Sequence, residues 1–163
     1  MSPMPMEATA VAAVTFKREN VKPLWDEIVP LARAHWDELA DYKDLSFAPN
    51  KAFYVGADEA GALRIFTIRE TGVLIGYCVF VVQNHPHSGA SIYATQDVIF
   101  IRKDKRGRLG ARFIQWCDQQ LAREKVAVVL RQVHTSYDFG SMLSRVGYMP
   151  VGLIYAKRLG VED

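Results

Sequence analysis

Hydrophobic positions along the chain predict a domain that combines helices and strands. Between Glu19 and Tyr42, apolar side chains recur at the spacing of an α-helix, so one face of this segment is expected to be buried. Pro30 lies within the segment and is expected to bend the helix or divide it into two. His35 falls on the apolar face and is interpreted as a partly buried histidine rather than a metal ligand.

Short runs rich in β-branched and aromatic residues predict six strands. They cover residues 12–16, 62–70, 71–83, 91–101, 126–133 and 149–159. The sequence Glu70-Thr71-Gly72, at the junction of the second and third runs, predicts a hairpin turn. His85 and His87 lie in the turn-rich sequence NHPHSGA. Because the sequence places no third ligand beside them, they are interpreted as a polar hairpin tip rather than a metal site.

Two further helices are predicted in the second half of the chain. In the first of them, one face carries the apolar residues Leu109, Phe113, Ile114, Cys117 and Leu121. The second is a short helix within DFGSMLSRVGY, for which Gly147 is the expected stop. The predicted order is β-α(α)-β-β-β-α-β-α-β, which implies an α/β fold with a central mixed sheet and helices on both faces.

Composition and charge narrow the class of protein. The chain has 163 residues, half of them hydrophobic, and is expected to form one domain over residues 1–163 with residues 1–11 as a flexible tail. Cys78 and Cys117 form neither a disulfide framework nor a C-x-x-C pair, so they are expected to be small core residues of a cytoplasmic protein. No apolar run is long enough to span a bilayer, and the first residues lack the pattern of a secretory signal. A net charge of +2 is low for a protein that binds duplex DNA.

The most unusual stretch is the turn between the predicted strand 91–101 and the helix after it. Two glycines, Gly107 and Gly110, lie in this turn among six cations: Arg102, Lys103, Lys105, Arg106, Arg108 and Arg112. The start of a helix offers free backbone N–H groups and the positive end of the helix dipole, and glycine lets an anion approach the backbone closely. The turn is therefore predicted to bind a phosphate or pyrophosphate group.

Two other interpretations of this turn remain open. The charges could keep an exposed helix start solvated, or they could bind nucleic acid. Nucleic-acid binding is disfavoured because the cations are grouped beside glycines instead of being spread along a face with interleaved aromatic residues. Neither of the common nucleotide-binding loops, G-x-x-x-x-G-K-[ST] and G-x-G-x-x-G, occurs in the sequence.

A resemblance to a known family rests on four consecutive segments. The strand DVIFI, the basic turn with its helix, the strand VAVVL and the segment DFGSMLSRVGYMPVGLIYAKRL together resemble the acyl-CoA-binding half of the GNAT superfamily of N-acyltransferases. The resemblance covers roughly residues 91–158. The form K-R-G-x-x-G-x-R-F-I also resembles small acetyltransferases carried by phages.

The loop of this family has the form Q/R-x-x-G-x-G/A, and the present sequence departs from it. Placing Gly110 on the last glycine puts Arg108 where the middle glycine is expected. Placing Ala111 last puts Leu109 there instead. One glycine of the pattern is missing in either alignment.

The resemblance implies a binding mode for acetyl-CoA. Backbone amides of residues 106–111 would hold the pyrophosphate, and the pantetheine arm would lie beside residues 98–101 like an added strand. The sheet would be mostly antiparallel and splayed between its fourth and fifth strands, and a β-bulge near Phe100 or Ile101 would direct an N–H group at the thioester carbonyl. The implied cofactor-binding residues are Ile99, Phe100, Ile101, Lys105, Arg106, Gly107, Arg108, Leu109, Gly110 and Ala111.

The resemblance also implies a general base. In the family the base is commonly a carboxylate on or near the strand that matches residues 91–101, where Asp97 is the only acid. A structural role for Asp97, as a hydrogen-bonded carboxylate at a strand entry, stays open. His134, at the end of the strand 126–133, is a second candidate because its ordinary pKa suits proton transfer near neutral pH.

The general acid is less directly implied. In the family it is often a tyrosine four residues before the glycine of the final helix, but Leu143 occupies that position here. Tyr137 and Ser141, which lie close by in the sequence, are the candidate substitutes. The reaction could also proceed with little acid–base assistance, since orientation and the oxyanion contact supply much of the rate acceleration.

The activity that the resemblance implies is N-acetyl transfer from acetyl-CoA to a primary amine of a small molecule or a protein. The alternative is a protein-binding module of the same fold that has lost its catalytic activity. Neither nucleic acid nor a membrane is an expected partner, and a homodimer is one of the oligomeric states left open. Four acidic residues form either a solvated surface or an electrostatic attraction for a cationic acceptor: Asp37, Glu38, Asp41 and Asp44.

Overall fold

A computed structural model of the protein describes residues 12–160; the predicted flexible tail, residues 1–11, lies outside the described residues. Nine α-helices and strands follow one another in these residues, with one 3-10 turn, Lys103–Lys105, before the third α-helix. They are β1 (Val14–Glu19), α1 (Val21–Leu39), α2 (Lys51–Glu59), β2 (Leu63–Glu70), β3 (Val73–His85), β4 (Ser88–Ile101), α3 (Arg108–Arg123), β5 (Val126–Leu130) and α4 (Gly140–Arg145). In this part of the chain no helix is both long enough and apolar enough to cross a membrane.

The strands form one sheet in the order β1-β2-β3-β4-β5. All neighbouring pairs are antiparallel except β4 and β5, which are parallel. Thr71 and Gly72 both have positive φ angles, 50° and 82°, so the predicted hairpin between β2 and β3 is a tight two-residue turn. His85 ends β3 and His87 lies in the following turn, which confirms the predicted hairpin tip.

Helices cover both faces of the sheet, as predicted. On one face, α3 packs Phe113, Cys117 and Leu121 against Phe66 and Phe80 in one buried cluster. On the other face, α1 places Val21 and Leu24 against a second cluster whose strand residues are Leu63, Ile65, Leu74, Tyr77, Val79 and Phe100. Both cysteines are completely buried, in agreement with their predicted role as core residues.

The sheet splays between β4 and β5, which confirms the predicted fold class. The register of this parallel pair begins at Ile92 with Val126 and ends at Thr95 with Leu130. From Gln96 to Ile101, β4 continues beside β3 alone. The outer edge of this half-strand therefore has backbone N–H and C=O groups without a neighbouring strand.

The predicted position of the β-bulge, near Phe100 or Ile101, is wrong. Val79 of β3 pairs with Val98, whereas the next residue, Phe80, pairs with Gln96. Asp97 is thus the extra residue, and the bulge lies three residues earlier than expected. A bulge bends the strand locally and redirects its side chains, so Asp97 owes its orientation to this irregularity.

The predicted division of the helix at Pro30 is wrong, because α1 is one continuous helix through this residue; the alternative effect, a bend, stays a prediction. Pro30 is exposed on the outer face of α1, where water can hydrogen-bond the carbonyl that loses its helical partner. The second helix of this region is instead α2, which the hydrophobic pattern did not reveal. Its N-cap residue is Asn50, whose side-chain Oδ1 accepts a hydrogen bond from the N–H of Phe53 at 3.0 Å.

The predicted closing strand over residues 149–159 does not form in the structure. After α4, Gly147 stops the helix with a φ angle of 100°, as predicted, and residues 148–160 are in neither helix nor strand. Their large apolar side chains are exposed. The strand β5, expected to extend to Val133, ends at Leu130 because the splay removes its partner from that point on.

Candidate active site

The splay opens into the main cavity of the described residues, with a volume of about 1240 Å³. Its floor is the unpaired half of β4. One wall is formed by α1, α2 and the connection between them, and the other by the start of α3 and by residues 132–146. A crevice beside the end of a sheet strand is a usual place for a ligand-binding site.

The helix start at this cavity has open backbone amides. Gly107 is the N-cap residue of α3 and has a φ angle of 107°, which favours glycine. No side chain caps the helix, so the first N–H groups have no side-chain acceptor. Gly110 is buried, and a β-carbon there would make ordinary van der Waals contacts of 3.8–3.9 Å with Ile101 and Met142, so packing alone does not require glycine at this position.

Half of the six cations in the turn are committed to ion pairs. Arg102 binds Asp104 at 2.9 Å, Lys105 binds Glu70 at 2.6 Å, and Arg106 binds Glu38 at 2.7 Å. The remaining three have no carboxylate within 4.0 Å in residues 12–160; they are Lys103, Arg108 and Arg112. Of these three, only Arg108 lines the cavity. Arg112 instead lies over the ring of Phe16, outside the cavity.

The side chain of Arg106 connects the loop to α1. Its Nε donates to the carbonyl oxygen of Ile101 at 2.8 Å, and its two terminal nitrogens donate to both carboxylate oxygens of Glu38. The guanidinium also lies over the rings of Phe100 and Tyr137. The bidentate hydrogen bonds of Arg106 hold the pKa of Glu38 below its ordinary value. Arg106 therefore forms part of the cavity wall, with its side chain occupied by protein contacts.

Eight of the ten residues implied for acetyl-CoA binding lie around this cavity: Ile99, Phe100, Ile101, Arg106, Gly107, Arg108, Gly110 and Ala111. The other two face elsewhere. Lys105 points to Glu70 of β2, and Leu109 packs against the core cluster beneath α3.

Asp97 projects into the cavity from the bulge and has a partner that sequence reasoning missed. The hydroxyl of Tyr54, on α2, donates a hydrogen bond to Asp97 Oδ2 at 2.9 Å. Burial raises the pKa of Tyr54, and the negative charge of Asp97 raises it further, so this hydroxyl keeps its proton. The neutral hydroxyl of Tyr54 thus holds one carboxylate oxygen of Asp97, and the other oxygen, Oδ1, accepts no hydrogen bond within residues 12–160 and can bind a cation.

His35 is a second group that sequence reasoning undervalued. Its ring packs against Phe100 at a centroid distance of 5.5 Å and lines the cavity. Burial lowers the pKa of His35 from its ordinary value of 6.5; the charges of Arg106 and His134 act in the same direction, while those of Glu38 and Asp97 oppose it. The imidazole is therefore neutral at pH 7 and able to accept a proton.

The other candidate base, His134, is fully hydrogen-bonded. Its Nδ1 accepts a hydrogen bond from the N–H of Ser136 at 3.1 Å, and its Nε2 lies within hydrogen-bond distance of Asp41 Oδ2, at 3.2 Å. Both nitrogens are engaged in positioning contacts. His134 lines the cavity, but its lone pair is not directed at a substrate.

The two substitute acids both lie at the cavity, on the segment that follows β5. Tyr137 is held by its own N–H, which donates to the carbonyl of His134 at 3.0 Å, and its ring is 42% exposed. Ser141 lines the same wall from the first turn of α4. Leu143, at the position of the family's tyrosine, is buried in the contact between α4 and the body of the protein. Tyr137 is thus the phenol that this chain presents to the cavity from that wall.

Comparison with known proteins identifies the fold through structure rather than sequence. No protein-family model matches the sequence, and no curated protein is significantly similar to it. Among solved structures, an aminoglycoside acetyltransferase, HMB0005, from an uncultured soil metagenomic sample superposes with a TM-score of 0.72 and 13% sequence identity, over 91% of this chain and 99% of that one.

Two further structures have the same architecture. A GCN5-related N-acetyltransferase from Ralstonia eutropha has a TM-score of 0.71 and 12% identity, over 91% of this chain and 100% of that one. A predicted acetyltransferase with acetyl-CoA from Clostridium acetobutylicum has a TM-score of 0.68 and 7% identity, over 90% and 96% of the two chains. The chain therefore has the fold of the GNAT superfamily of N-acetyltransferases.

Proposed function

We propose that this protein is an N-acetyltransferase that transfers an acetyl group from acetyl-CoA to a primary amine of a small molecule or a protein. The proposal rests on one observation, which is that a strand edge, a helix start and three polar side chains face the same cavity. The unpaired half of β4, the open helix start at Gly107, and the polar groups of Asp97, His35 and Tyr137 all face it. Solved acetyltransferases of the same fold support this assignment.

The residues of the cavity fit acetyl-CoA. The backbone amides at the start of α3 and the side chain of Arg108 offer positive potential for a diphosphate. The free edge of β4 from Gln96 to Ile101 offers hydrogen-bond donors and acceptors to an amide-containing chain such as pantetheine. A Clostridium acetobutylicum acetyltransferase of this fold, solved with acetyl-CoA, makes the same co-substrate plausible here.

An amine must lose its proton before it can react. For an alkyl amine with a pKa near 10, this costs about 4 kcal/mol at pH 7. We assign Asp97, held by Tyr54, to binding the ammonium form, and His35 to accepting its proton, directly or through water. Tyr137 is assigned to returning a proton to the leaving sulfur. Acetyl-CoA supplies the activated acetyl group: the amine nitrogen bonds to the carbonyl carbon, the C–S bond breaks, and CoA leaves as a thiol.

The acceptor half of the cavity favours an amine with an apolar body. Its walls are aromatic, with Trp25 and Tyr54 at a centroid distance of 6.3 Å and Phe47 and Phe53 nearby. The electrostatic attraction considered for a cationic acceptor is weakened, because three of the four acidic residues of that region form ion pairs with arginines. The pairs are Arg33 with Asp37, Arg106 with Glu38 and Arg158 with Asp44.

Release of free CoA thiol over a panel of amines tests the proposed function. We expect acceptor-dependent thiol release with aromatic and alkyl monoamines, and slower release with polycationic amines such as aminoglycosides. Tyr137→Phe should lower kcat by about 100-fold with little change in KM, at the lower end of the range for a positioned general acid. Acetyl-CoA binding without turnover on any amine would instead support the catalytically inactive binding module, which is favoured by Leu143 at the position of the family's tyrosine and by the missing glycine of the loop.

The pH dependence of kcat/KM distinguishes the two candidate bases. Because burial lowers the pKa of His35, this group is neutral above 6.5 and becomes protonated only at lower pH. We therefore expect kcat/KM to fall as the pH drops through that lowered pKa, and the fall to disappear in His35→Gln. Asp97→Asn, the matched variant, should raise KM for the amine and keep the acidic fall. If the decrease of kcat/KM at low pH persisted in His35→Gln and disappeared in Asp97→Asn, Asp97 would be the group that accepts the proton of the amine.

A further inference from the structure

The inner end of the cavity, where β4 and β5 diverge, is closed by a side-chain hydrogen bond. The paired part of the two strands ends at Thr95 with Leu130, and within the described residues neither of these lines the cavity. The first residues beyond this point that line it are Gln96 on β4 and Gln132 on the segment after β5. Nε2 of Gln96 donates a hydrogen bond to the carbonyl oxygen of Gln132 at 3.2 Å. The amide of Gln96 therefore bridges the two diverging segments.

Arg131 holds this amide in place from the side of the core. The Arg131 side chain is completely buried, and its guanidinium donates to Asp118 at 2.8 Å and to the hydroxyl of Tyr148 at 2.9 Å. Its Nη1 also donates to Gln96 Oε1 at 3.0 Å, so both ends of the Gln96 amide are hydrogen-bonded. Turning Gln96 away would leave a buried N–H of Arg131 without this acceptor, which is unfavourable. The amide is therefore a fixed end of the cavity rather than a mobile one.

The bulge places Gln96 and Asp97 on opposite faces of the sheet. Gln96 is directly opposite Phe80, whose ring packs in the cluster beneath α3, and directly opposite residues share a face. Asp97 is on the other face, where it binds the hydroxyl of Tyr54 on α2. The free edge of β4 runs between the two faces. The group assigned to the amine and the Gln96 bridge are thus separated by the strand on which the thioester arm is proposed to lie.

We propose that Gln96 is the residue that restricts the acyl group of the thioester to acetyl, an inference that rests on the proposed function. Gly110, at the start of α3, lies beside Ile101 at the outer end of the free edge. A thioester arm that follows this edge from the helix start passes Ile101 first and reaches Gln96 last. The acyl group then ends against an amide whose oxygen and nitrogen are both occupied. Such an amide offers a longer acyl chain neither room nor apolar contact.

Isothermal titration of the full chain with free CoA, acetyl-CoA and butyryl-CoA tests the role of Gln96. We expect the wild-type protein to bind butyryl-CoA at least about 10-fold more weakly than acetyl-CoA, the smallest factor that a pocket gives for one methylene group. Gln96→Ala removes the bridge and should abolish most of this difference. The matched variant Gln96→Glu keeps the length of the side chain and an acceptor for Arg131, so it should keep the difference. Free CoA, which carries no acyl group, should bind all three proteins with similar affinity.

Gln96→Ala leaves one N–H of Arg131 without its acceptor, so circular dichroism must first show that this variant is folded. If it is not, Gln96→Ser takes its place, because the smaller hydroxyl side chain leaves room for a water molecule that can bind Arg131. Equal affinity of the wild-type protein for acetyl-CoA and butyryl-CoA would overturn the role of Gln96 and leave the proposed function standing. An unchanged preference for acetyl-CoA in the folded variant would do the same. Failure of all three CoA compounds to bind the wild-type protein would overturn the proposed function as well.

Discussion

Replacing Arg108 by glutamate should weaken acetyl-CoA binding by about 100-fold, or about 2.7 kcal/mol. Arg108 is the first residue of α3 and the unpaired cation of the loop that lines the cavity. The substitution exchanges an attractive charge for a repulsive one beside the amides assigned to the diphosphate. A carboxylate in the first turn is favourable for the helix dipole, so the helix itself should not be weakened. Isothermal titration with acetyl-CoA measures the effect.

Two control variants separate this local effect from a general change of charge. Arg108→Gln removes the attraction without adding repulsion, so it should weaken binding by about 10-fold or less, as for one exposed charge-assisted contact. Arg112→Glu makes the same change of charge one helical turn later, over the ring of Phe16 and outside the cavity. It should change the dissociation constant very little. Equal effects of Arg108→Glu and Arg112→Glu would show that the diphosphate is not bound at the helix start.

Replacing Arg131 by methionine should lower the free energy of unfolding by about 3 kcal/mol, the lower end of the range for breaking a buried ion pair. The Arg131 side chain is completely buried just after β5, and it donates to Asp118 at 2.8 Å, to the hydroxyl of Tyr148 at 2.9 Å and to Gln96 at 3.0 Å. Methionine fills much of the volume but leaves the carboxylate of Asp118 without its cation. Urea denaturation followed by circular dichroism gives the loss.

The matched control is Arg158→Met, which removes an ion pair with Asp44 in which both side chains are more than half exposed. Exposed ion pairs contribute less than about 1 kcal/mol to the free energy of unfolding, so Arg158→Met should lower that free energy by less than this amount. If the two variants lost the same stability, the buried network around Arg131 would not hold the end of β5 and Tyr148 together as described.

Local patterns were sufficient to predict most of the sheet and to single out the turn at Gly107, whereas the cleft beside β4 followed from the resemblance to the family. The turn at Thr71 and Gly72 could be predicted because glycine favours a positive φ angle, and α3 because its apolar residues repeat at helical spacing. The loop at Gly107 could be singled out because clustered cations and glycines are unusual between a buried strand and a helix. In each case the relevant interactions lie within a few residues of sequence.

Features that depend on contacts between distant segments could not be predicted in this way. Tyr54 matters because α2 brings its hydroxyl to Asp97, 43 residues away. The lowered pKa of His35 depends on burial against Phe100 and on nearby charges of other elements. The bulge at Asp97 is a shift in the pairing register of two strands. The sequence of one strand alone does not show where such a shift occurs. Similarly, a strand pattern over residues 149–159 gives the propensity of that segment, but a strand forms only beside a partner strand, and none pairs with these residues in the structure.

Hydrogen exchange of backbone amides, measured by mass spectrometry with and without acetyl-CoA, tests the central claim most directly. The claim is that acetyl-CoA binds where the start of α3 meets the unpaired half of β4. Exchange should slow in peptides that cover residues 107–111 and residues 97–101, and it should stay unchanged in the hairpin tip around His87. Binding that leaves both of these peptides unprotected, or an absence of any acetyl-CoA binding, would contradict the account.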